Sequence, residues 1–428
     1  MVEPHRTDDE PLMRVVRRAV YTGGNQATLL RGGEALFPAM VRAIEAARHE
    51  VWIATYIYDN TGSVAMVTQA LADAARRGVH VKLVVDGFGS RACLNELRAQ
   101  LEGAGVLLAV FRPLHRWWSW LQPGQLRRLH QKLCVVDGEV AFVGGINLLD
   151  DRFDQIHGWS DEPRLDYAVE LRGPVVAPIE QATRALWTRA RIGSHFGREM
   201  AALARSAEPV ARARRMLRRL RMPKGSRTAN QLSVLRPVRA AFVMRDNLRQ
   251  RRAIERSYID AIRNAQRRVD LISPYFYPGR AFMRVLRAAG QRGVQVRLLL
   301  QGKVDYRIAA LAARALYDDL LSHGVRIFEY TPAFLHAKVG LVDDEWATVG
   351  SSNIDPLSLL LNLEANVVIR DPVFTNALAA QFDQAVAASR EIDPTQARQR
   401  SLQGVLRRGF VAWCAHVYLR IAGASGRY

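Results

Sequence analysis

The sequence predicts a duplicated α/β domain, each copy layering helices on a buried sheet. Three observations carry this expectation. Four sequence blocks recur in the same order about 206 residues apart, too long a period for a solenoid. Within each copy, helical and strand patterns alternate. Apolar residues make up 49% of the 428, enough to bury a large core and to exclude wholesale disorder.

The blocks can be read directly. Val51-Trp-Ile-Ala-Thr-Tyr56 is answered by Val269-Asp-Leu-Ile-Ser-Pro274, and Arg77-Gly-Val-His-Val-Lys-Leu83 by Arg292-Gly-Val-Gln-Val-Arg-Leu298. Leu129-His-Gln-Lys-Leu-Cys-Val-Val-Asp137 is answered by Leu335-His-Ala-Lys-Val-Gly-Leu-Val-Asp343. Leu165-Asp-Tyr-Ala-Val-Glu-Leu-Arg-Gly-Pro174 is answered by Leu363-Glu-Ala-Asn-Val-Val-Ile-Arg-Asp-Pro372.

In chain order, residues 33–48 and 64–77 carry apolar side chains near the 3.6 period of an amphipathic helix. Residues 79–85, 106–111, 133–136 and 140–143 are short, Val- and Leu-rich runs that read as strands, with Gly78 and Gly105 at helix-to-strand turns. The second copy repeats this with helices near 248–266, 280–291 and 307–322 and strands after Gly293 and Gly324. The expected divisions are a tail over 1–25, a first domain over 26–195, a basic linker over 196–229, a second domain over 230–395 and a basic amphipathic tail over 396–428. From Gly105 to His130 is 25 positions and from Gly324 to His336 only 12, so the first copy has an insertion, which contains Arg116-Trp117-Trp118-Ser119-Trp120.

Composition narrows the setting. Sixty-one Lys+Arg against 41 Asp+Glu leave a formal charge of +20, which calls for an anionic partner: nucleic acid, a membrane face or a phosphorylated substrate. The three Cys are too few for a disulfide framework or a Cys-based zinc site, and fit a reducing compartment. No signal peptide is read at the start, and no apolar run approaches the roughly 18 residues of a membrane span, so a soluble or peripheral protein is expected. The basic residues are 56 Arg and only 5 Lys, which makes each Lys informative.

Two of those five lysines sit in the repeated pattern His-x-Lys-x-x-x-x-Asp: His130, Lys132, Asp137 and His336, Lys338, Asp343. Strand alternation puts His and Lys of each motif on one side. An imidazole beside an ammonium suits phosphoryl chemistry: the ring attacks phosphorus or moves a proton, and Lys neutralises non-bridging oxygens. Each half supplies one pair, while a two-step transfer needs both a nucleophile and a proton donor, so two halves facing each other complete the set. Asp137 and Asp343 have two readings, a direct catalytic part or the closing of a turn. Each motif leads to a small-residue turn and an Asn, Gly144-Gly145-Ile-Asn147 and Gly350-Ser351-Ser352-Asn353. Asn147 and Asn353, with Ser351 and Ser352, are the candidate phosphate-binding or supporting residues, against a plainer reading of the serines as turn residues. Asp166 and Glu364, at matched positions, can fix an imidazole tautomer and stabilise its cation.

These residues carry a resemblance. The paired motifs with Gly-Gly-x-Asn and Gly-Ser-Ser-Asn resemble the phospholipase D superfamily. The block Val349 to Glu364, with Gln301-Gly302, Phe328-Glu-Tyr330, Asp86-Gly-Phe-Gly89 and Phe142 to Asn147, is similar to bacterial cardiolipin synthases, over residues 26 to 395. The resemblance implies two phospholipase D-like domains, each a mixed sheet flanked by helices, related by a pseudo-twofold with one active site at their interface. It implies a phosphohistidine intermediate, no cofactor and no metal, and transfer of a phosphatidyl group to phosphatidylglycerol. Phosphatidylglycerol is also the expected donor, with phosphatidylethanolamine a further one, and glycerol or another small head group leaves. By position His130 takes the nucleophile's role and His336 the general acid/base's, although the repeat symmetry allows the reverse. Without N-terminal membrane helices, the chain resembles the shorter form of these synthases.

The charge is uneven. Residues 111–129, 205–227 and 401–428 hold most of the excess. Beside aromatic and aliphatic residues they read as attachment segments for an anionic phospholipid membrane, with Trp117, Trp118 and Trp120 as interfacial contacts. The expected location is the cytoplasmic face of a bacterial inner membrane, peripherally bound. A phospholipase D-type hydrolase and a basic nuclease are the rival functions. Nucleic acid is the less expected partner, because a Trp-rich insertion and an apolar tail do not make a base-stacking groove.

Overall fold

Val- and Leu-rich strands form one sheet in each half of the structure, a computed structural model that describes residues 19–113, 128–204, 237–245, 252–303, 313–355 and 362–393. The first half runs β1 (Gln26–Arg31), α1 (Gly32–Glu45), β2 (Glu50–Thr55), α2 (Ala65–Arg76), β3 (His80–Asp86), α3 (Leu94–Gly103), β4 (Leu107–Phe111), β5 (Leu133–Val136), β6 (Val140–Gly144), the two-residue strands β7 (Phe153–Asp154) and β8 (Gly158–Trp159), β9 (Tyr167–Arg172) and α4 (Val176–Ala204). The second runs β10 (Arg239–Arg245), α5 (Ala253–Asn264), β11 (Arg268–Ser273), α6 (Arg280–Gln291), β12 (Gln295–Gln301), α7 (Tyr317–Ser322), β13 (Val325–Tyr330), β14 (Val339–Val342), β15 (Trp346–Gly350), β16 (Glu364–Arg370), α8 (Pro372–Ala387) and β17 (Ser389–Glu391).

The repeat is topological as well as sequential. The first sheet has the order β1-β9-β6-β5-β2-β3-β4, and the second β10-β16-β15-β14-β11-β12-β13, with β17 added at its edge. In each, three strands are parallel (β2, β3, β4 and β11, β12, β13) and the rest join antiparallel, giving a mixed sheet. The expected strands at 133–136 and 140–143 and the helix at 280–291 stand where the periodicity put them. Helix α6 forms there because Phe282, Met283, Leu286 and Ala289 make one buried stripe at three- and four-residue spacing.

Each sheet is covered on its outer face by its own helices. Phe37, Met40 and Ile44 of α1 and Leu71 of α2 pack on Val51, Ile53, Val81 and Leu83, while Tyr258, Ile262, Phe282 and Leu286 pack on Val269, Leu271, Val296 and Leu298. The inner faces share one core. Val143, Val169 and Leu171 from the first sheet join Val349, Val367 and Ile369 from the second, together with Ile179 and Leu186 of α4 and Leu378 and Phe382 of α8. Leu129, Leu165, Leu335 and Leu363 are all buried in this shared layer. Truncating any of them to Ala costs about 2–5 kcal/mol on the usual scale for buried Leu.

Two short parallel bridges join the halves, Leu129↔Leu363 and Leu165↔Leu335, each at a repeat-equivalent position. A third antiparallel bridge, Thr22↔Ala240, ties part of the expected N-terminal tail to the second sheet. Helix α4 continues to Ala204, into the stretch assigned by charge to the linker. The segments 205–227 and 401–428, and Trp117, Trp118 and Trp120, lie outside the described residues.

The motif aspartates belong to the frame. Asp137 follows β5 at the end away from Lys132, with φ 51°, and its carboxylate accepts from the backbone N–H of Arg48, His49 and Glu50 at 2.8, 2.9 and 2.7 Å. Asp343, also at φ 51°, accepts from Gln266, Arg267 and Arg268. Three convergent amides hold each carboxylate, which supports the turn-closing reading. Asp137→Ala and Asp343→Ala are each expected to cost about 1–3 kcal/mol of stability, while the folded fraction keeps its specific activity. Calorimetry beside an assay checks this; loss of turnover at unchanged melting temperature would return them to the site.

Candidate active site

The chain reaches each His-Lys pair through an anchor at the end of a strand. Asp86, at the end of β3, accepts from the backbone N–H of Leu129 at 2.9 Å and of Phe88 at 2.8 Å. Its counterpart Gln301, at the end of β12, accepts from Leu335 N–H at 2.9 Å. The residue before each histidine is thus held by the sheet of its own half. The residue's other face is held by the opposite half: His130 N–H donates to Leu363 O at 3.0 Å, and His336 N–H to Leu165 O at 2.9 Å.

Because Glu364 follows Leu363 and Asp166 follows Leu165, these bridges bring each histidine beside the carboxylate of the other half. His130 Nδ1 lies 3.0 Å from Glu364 Oε2, and His336 Nδ1 lies 2.6 Å from Asp166 Oδ2. An ionised carboxylate only accepts, so Nδ1 carries the hydrogen and Nε2 is the free lone pair or the outgoing proton site. Both carboxylates are almost fully buried, Glu364 at 0% and Asp166 at 2% exposure. Asp166 also accepts from Tyr167 N–H at 2.8 Å, and Glu364 from Ser351 Oγ at 2.5 Å.

The lysines share this interior. Lys132 Nζ donates to His130 O at 2.7 Å and Lys338 Nζ donates to His336 O. Lys132 and Lys338 are 6% and 1% exposed. Burial lowers the Lys132 ammonium to about 7, with the nearby Lys338 charge pushing the same way. Burial lowers Lys338 to about 8, with Asp166 and Glu364 opposing. Burial also lowers both imidazoles, His336 further, with Lys338 and Arg164 adding to it. Asp166 is raised to about 7 by burial, against Lys338 and the Tyr167 amide. Cations that feel one another across the repeat occupy one site, and a phosphate monoanion entering it relieves their repulsion.

The remaining candidates divide. Asn147 and Asn353, 5% and 7% exposed, follow β6 and β15 at equivalent points, and Asn147 Oδ1 accepts from Ile57 N–H at 3.4 Å. Ser351 is an orienting partner of Glu364, while Ser352 Oγ donates to Asn353 O at 3.3 Å and shapes the turn. Gly145 takes the place of Ser351 in the first half for a steric reason: a Cβ there would stand 2.3 Å from Asp166 Oδ1.

Sequence reasoning passed over Tyr56 and Arg164. The Tyr56 ring lies 5.1 Å from the His130 ring at 58°, and Lys132 Nζ is 5.5 Å from its centre. Gly89 leaves room for it, since a Cβ would come within 2.9 Å of the ring. The available signal was the departure of Tyr56 from its repeat partner Pro274.

Two α/β halves that pool a His-Lys pair each, with carboxylates exchanged between them, define a phospholipase D-like enzyme of phosphodiester transfer. The family described as "Cardiolipin synthase, PLD-like domain" matches residues 40–158 and 258–386. Cardiolipin synthase B of Shigella flexneri is 37% identical over 381 residues, 88% of this chain and 84% of that one. Cardiolipin synthase B of Escherichia coli K12 is 36% identical over 379 residues, with the same shares. Cardiolipin synthase A of Pseudomonas putida W619 is 32% identical over 370 residues, 86% of this chain and 70% of that one. The crystal structure of phosphatidylserine synthase from Haemophilus influenzae Rd KW20 superposes with a TM-score of 0.64 over 94% of this chain and 97% of that one, at 12% identity, a likeness of fold. The chain belongs to the cardiolipin synthase family and is a phosphatidyltransferase.

The pKa directions give a pH profile. The lysines act as cations, so their contribution is present below their pKa values and is lost as pH rises through about 7 to 8. Asp166 acts as a carboxylate, lost as pH falls below about 7. The free enzyme is therefore expected to show a narrow bell in kcat/KM near neutrality, and bound phosphate moves the alkaline limb of kcat upward. A flat profile between pH 6 and 10 on a soluble phosphodiester would contradict this. Asp166→Asn and Glu364→Gln are expected to lower kcat by about 10²–10⁴-fold with little change in melting temperature.

Proposed function

We propose that the chain makes cardiolipin by transphosphatidylation, with phosphatidylglycerol as acceptor and as a donor. The exchange of carboxylates across the halves is the observation that carries this reading: it gives one site two oriented imidazoles and two lysines. With the donor phosphate between Lys132 and Lys338, His130 Nε2 attacks phosphorus. The P–O bond to the head group breaks, and His336 delivers the proton to the departing glycerol oxygen. The phosphatidyl group is then carried on His130, its ring charge balanced by Glu364. His336, now neutral, takes the proton from the primary hydroxyl of the acceptor, whose oxygen displaces His130 and forms the second phosphodiester of cardiolipin. Phosphatidylethanolamine fits the donor role by the same chemistry, releasing ethanolamine.

Membrane attachment is peripheral in this reading, on the cytoplasmic face. Among the described residues no helix is long and apolar enough to cross a membrane. The Trp-rich insertion leaves the described chain at Pro113 and returns at Arg128, whose Nη1 donates to Arg112 O at 3.3 Å. Arg128 stands two residues before His130, so both ends of the insertion start at the site, which favours an interfacial role for Trp117, Trp118 and Trp120.

Mass spectrometry of products from phosphatidylglycerol vesicles tests the reaction. Cardiolipin and glycerol are expected. Phosphatidic acid alone would make the chain a hydrolase, and cleavage of single-stranded DNA with no lipid product would make it a nuclease. His130→Ala and His336→Ala should each abolish turnover; substantial activity in either defeats the shared site. Activity is expected to survive a strong chelator. Deleting residues 117–120 should weaken vesicle binding more than turnover of a soluble phosphodiester, and equal losses would assign the insertion to the fold.

A further inference from the structure

The first half places an arginine two residues before its carboxylate, where the second half has Asn362, whose carbonyl accepts from the buried Arg245 Nη1 at 3.1 Å. Arg164 stands two residues before Asp166, so alternation sends its side chain to the side from which Asp166 reaches His336. Between them Leu165 is fixed to the opposite half, its N–H donating to Phe334 O at 2.9 Å and its carbonyl accepting from His336 and Ala337. The Arg164 side chain is only 11% exposed. Its charge reaches the site, adding to the depression of both His336 and Lys338.

A dedicated hairpin holds this guanidinium. Asn147 to Asp166 spans 19 positions, against 11 from Asn353 to Glu364, and the longer stretch contains β7 and β8. Arg164 Nη2 donates to Phe153 O at 3.1 Å and to Asp154 Oδ2 at 3.3 Å. The other Asp154 oxygen accepts from the N–H groups of Ile156 and His157 at the hairpin tip. The His157 ring stacks on Phe334 at 5.3 Å, closing the hairpin against the loop that leads into His336. These contacts use Nη2; Nε and Nη1 make no hydrogen bond among the described residues. At the position equivalent to Arg164 the second half has the neutral Asn362.

The reaction proposed above has a matching asymmetry of charge. The donor phosphate is neutralised by Lys132 and Lys338. A phosphatidylglycerol acceptor brings a second phosphodiester that undergoes no chemistry and is repelled by the first. Its hydroxyl must reach His336, three carbons from that phosphate. We propose that Arg164 binds the unreacting phosphodiester of the acceptor lipid, and so selects phosphatidylglycerol over uncharged alcohols and water. A planar guanidinium whose Nε and Nη1 are not engaged by the hairpin is suited to this, and its place two residues before Asp166 puts the acceptor on the His336 side. The inference rests on the cardiolipin-forming reading.

The test uses the full chain and phosphatidyl-p-nitrophenol as donor, whose chromophore reports the first step whatever the acceptor. Phosphatidylglycerol and monoacylglycerol are compared as acceptors, since both offer a glycerol hydroxyl and only the first a phosphate. Arg164→Gln is expected to raise the apparent KM for phosphatidylglycerol about tenfold or more relative to that for monoacylglycerol, whatever change common to both acceptors follows from removing its charge beside His336, and to divert product toward phosphatidic acid. Arg164→Lys should recover part of the loss. Equal losses with both acceptors would reduce Arg164 to a support for the hairpin, and unchanged discrimination would remove it from the acceptor site. Failure of the wild-type chain to make cardiolipin would instead overturn the underlying reaction.

Discussion

Everything at the site depends on five backbone hydrogen bonds that cross between the halves at the two bridges. They join Leu129 to Leu363 and Leu165 to Leu335, and they do so one residue before each histidine and each carboxylate. Neither half can orient its own imidazole, because its carboxylate serves the other. Separation of the halves would therefore strand two buried carboxylates and two buried lysines at once, which is more costly than losing a typical surface contact. Assembly of the shared core and assembly of the chemistry are one event. A family of leucines buried at the bridge explains why such short strand contacts hold: the apolar layer excludes water from hydrogen bonds that would otherwise compete with solvent.

The same enclosure sets the electrostatics. Two ammonium groups nearly removed from water, facing one another, are poor for stability and good for phosphate. Burial lowers the proton affinity of both lysines and both imidazoles while raising that of Asp166. The two lysines and Asp166 are thereby drawn toward neutrality, while the imidazoles are pushed below it and favour the neutral ring. The frame tolerates this because the carboxylates are retained in the interior, each bonded to an imidazole of the other half. Asp86 and Gln301 add neutral or amide-saturated anchors, so the histidine backbones do not shift to relieve the repulsion.

Much of this was legible in the sequence because duplication provides an internal control. The pairing of His130 with His336 and of Lys132 with Lys338 followed from a motif repeated in register, and the strand and helix positions followed from period-2 and period-3.6 patterns. Asp166 and Glu364 were found as matched positions, but nothing in a linear pattern says that each serves the opposite histidine; that depends on how two inner faces dock. The aspartates of the motifs stayed open between two readings for a related reason. Asp137 and Asp343 recur with the chemistry because the turn they close ends the strand that carries it. Arg164 lay hidden among 56 arginines in a chain where that residue type carries little information.

Departures from the repeat are where a duplicated site acquires direction. Two identical halves would give two interchangeable histidines, with no preference for which is attacked and which moves the proton. Here the neighbours of His130 are Tyr56, Glu364 and Ser351, and those on the His336 side are Asp166, Gly145 and Arg164. The π face of a tyrosine stabilises a cationic ring, whether protonated or phosphorylated, whereas a nearby guanidinium favours a neutral one. The longer Glu364 needs Ser351 to fix its reach, while the shorter Asp166 needs Gly145 to approach at all. One half thus offers a surrounding that tolerates a lasting positive ring, and the other an imidazole that returns readily to neutral between proton transfers. That division matches what a covalent two-step transfer asks of its two histidines, and it lies in the surroundings of a repeated pair that is itself the same in both halves.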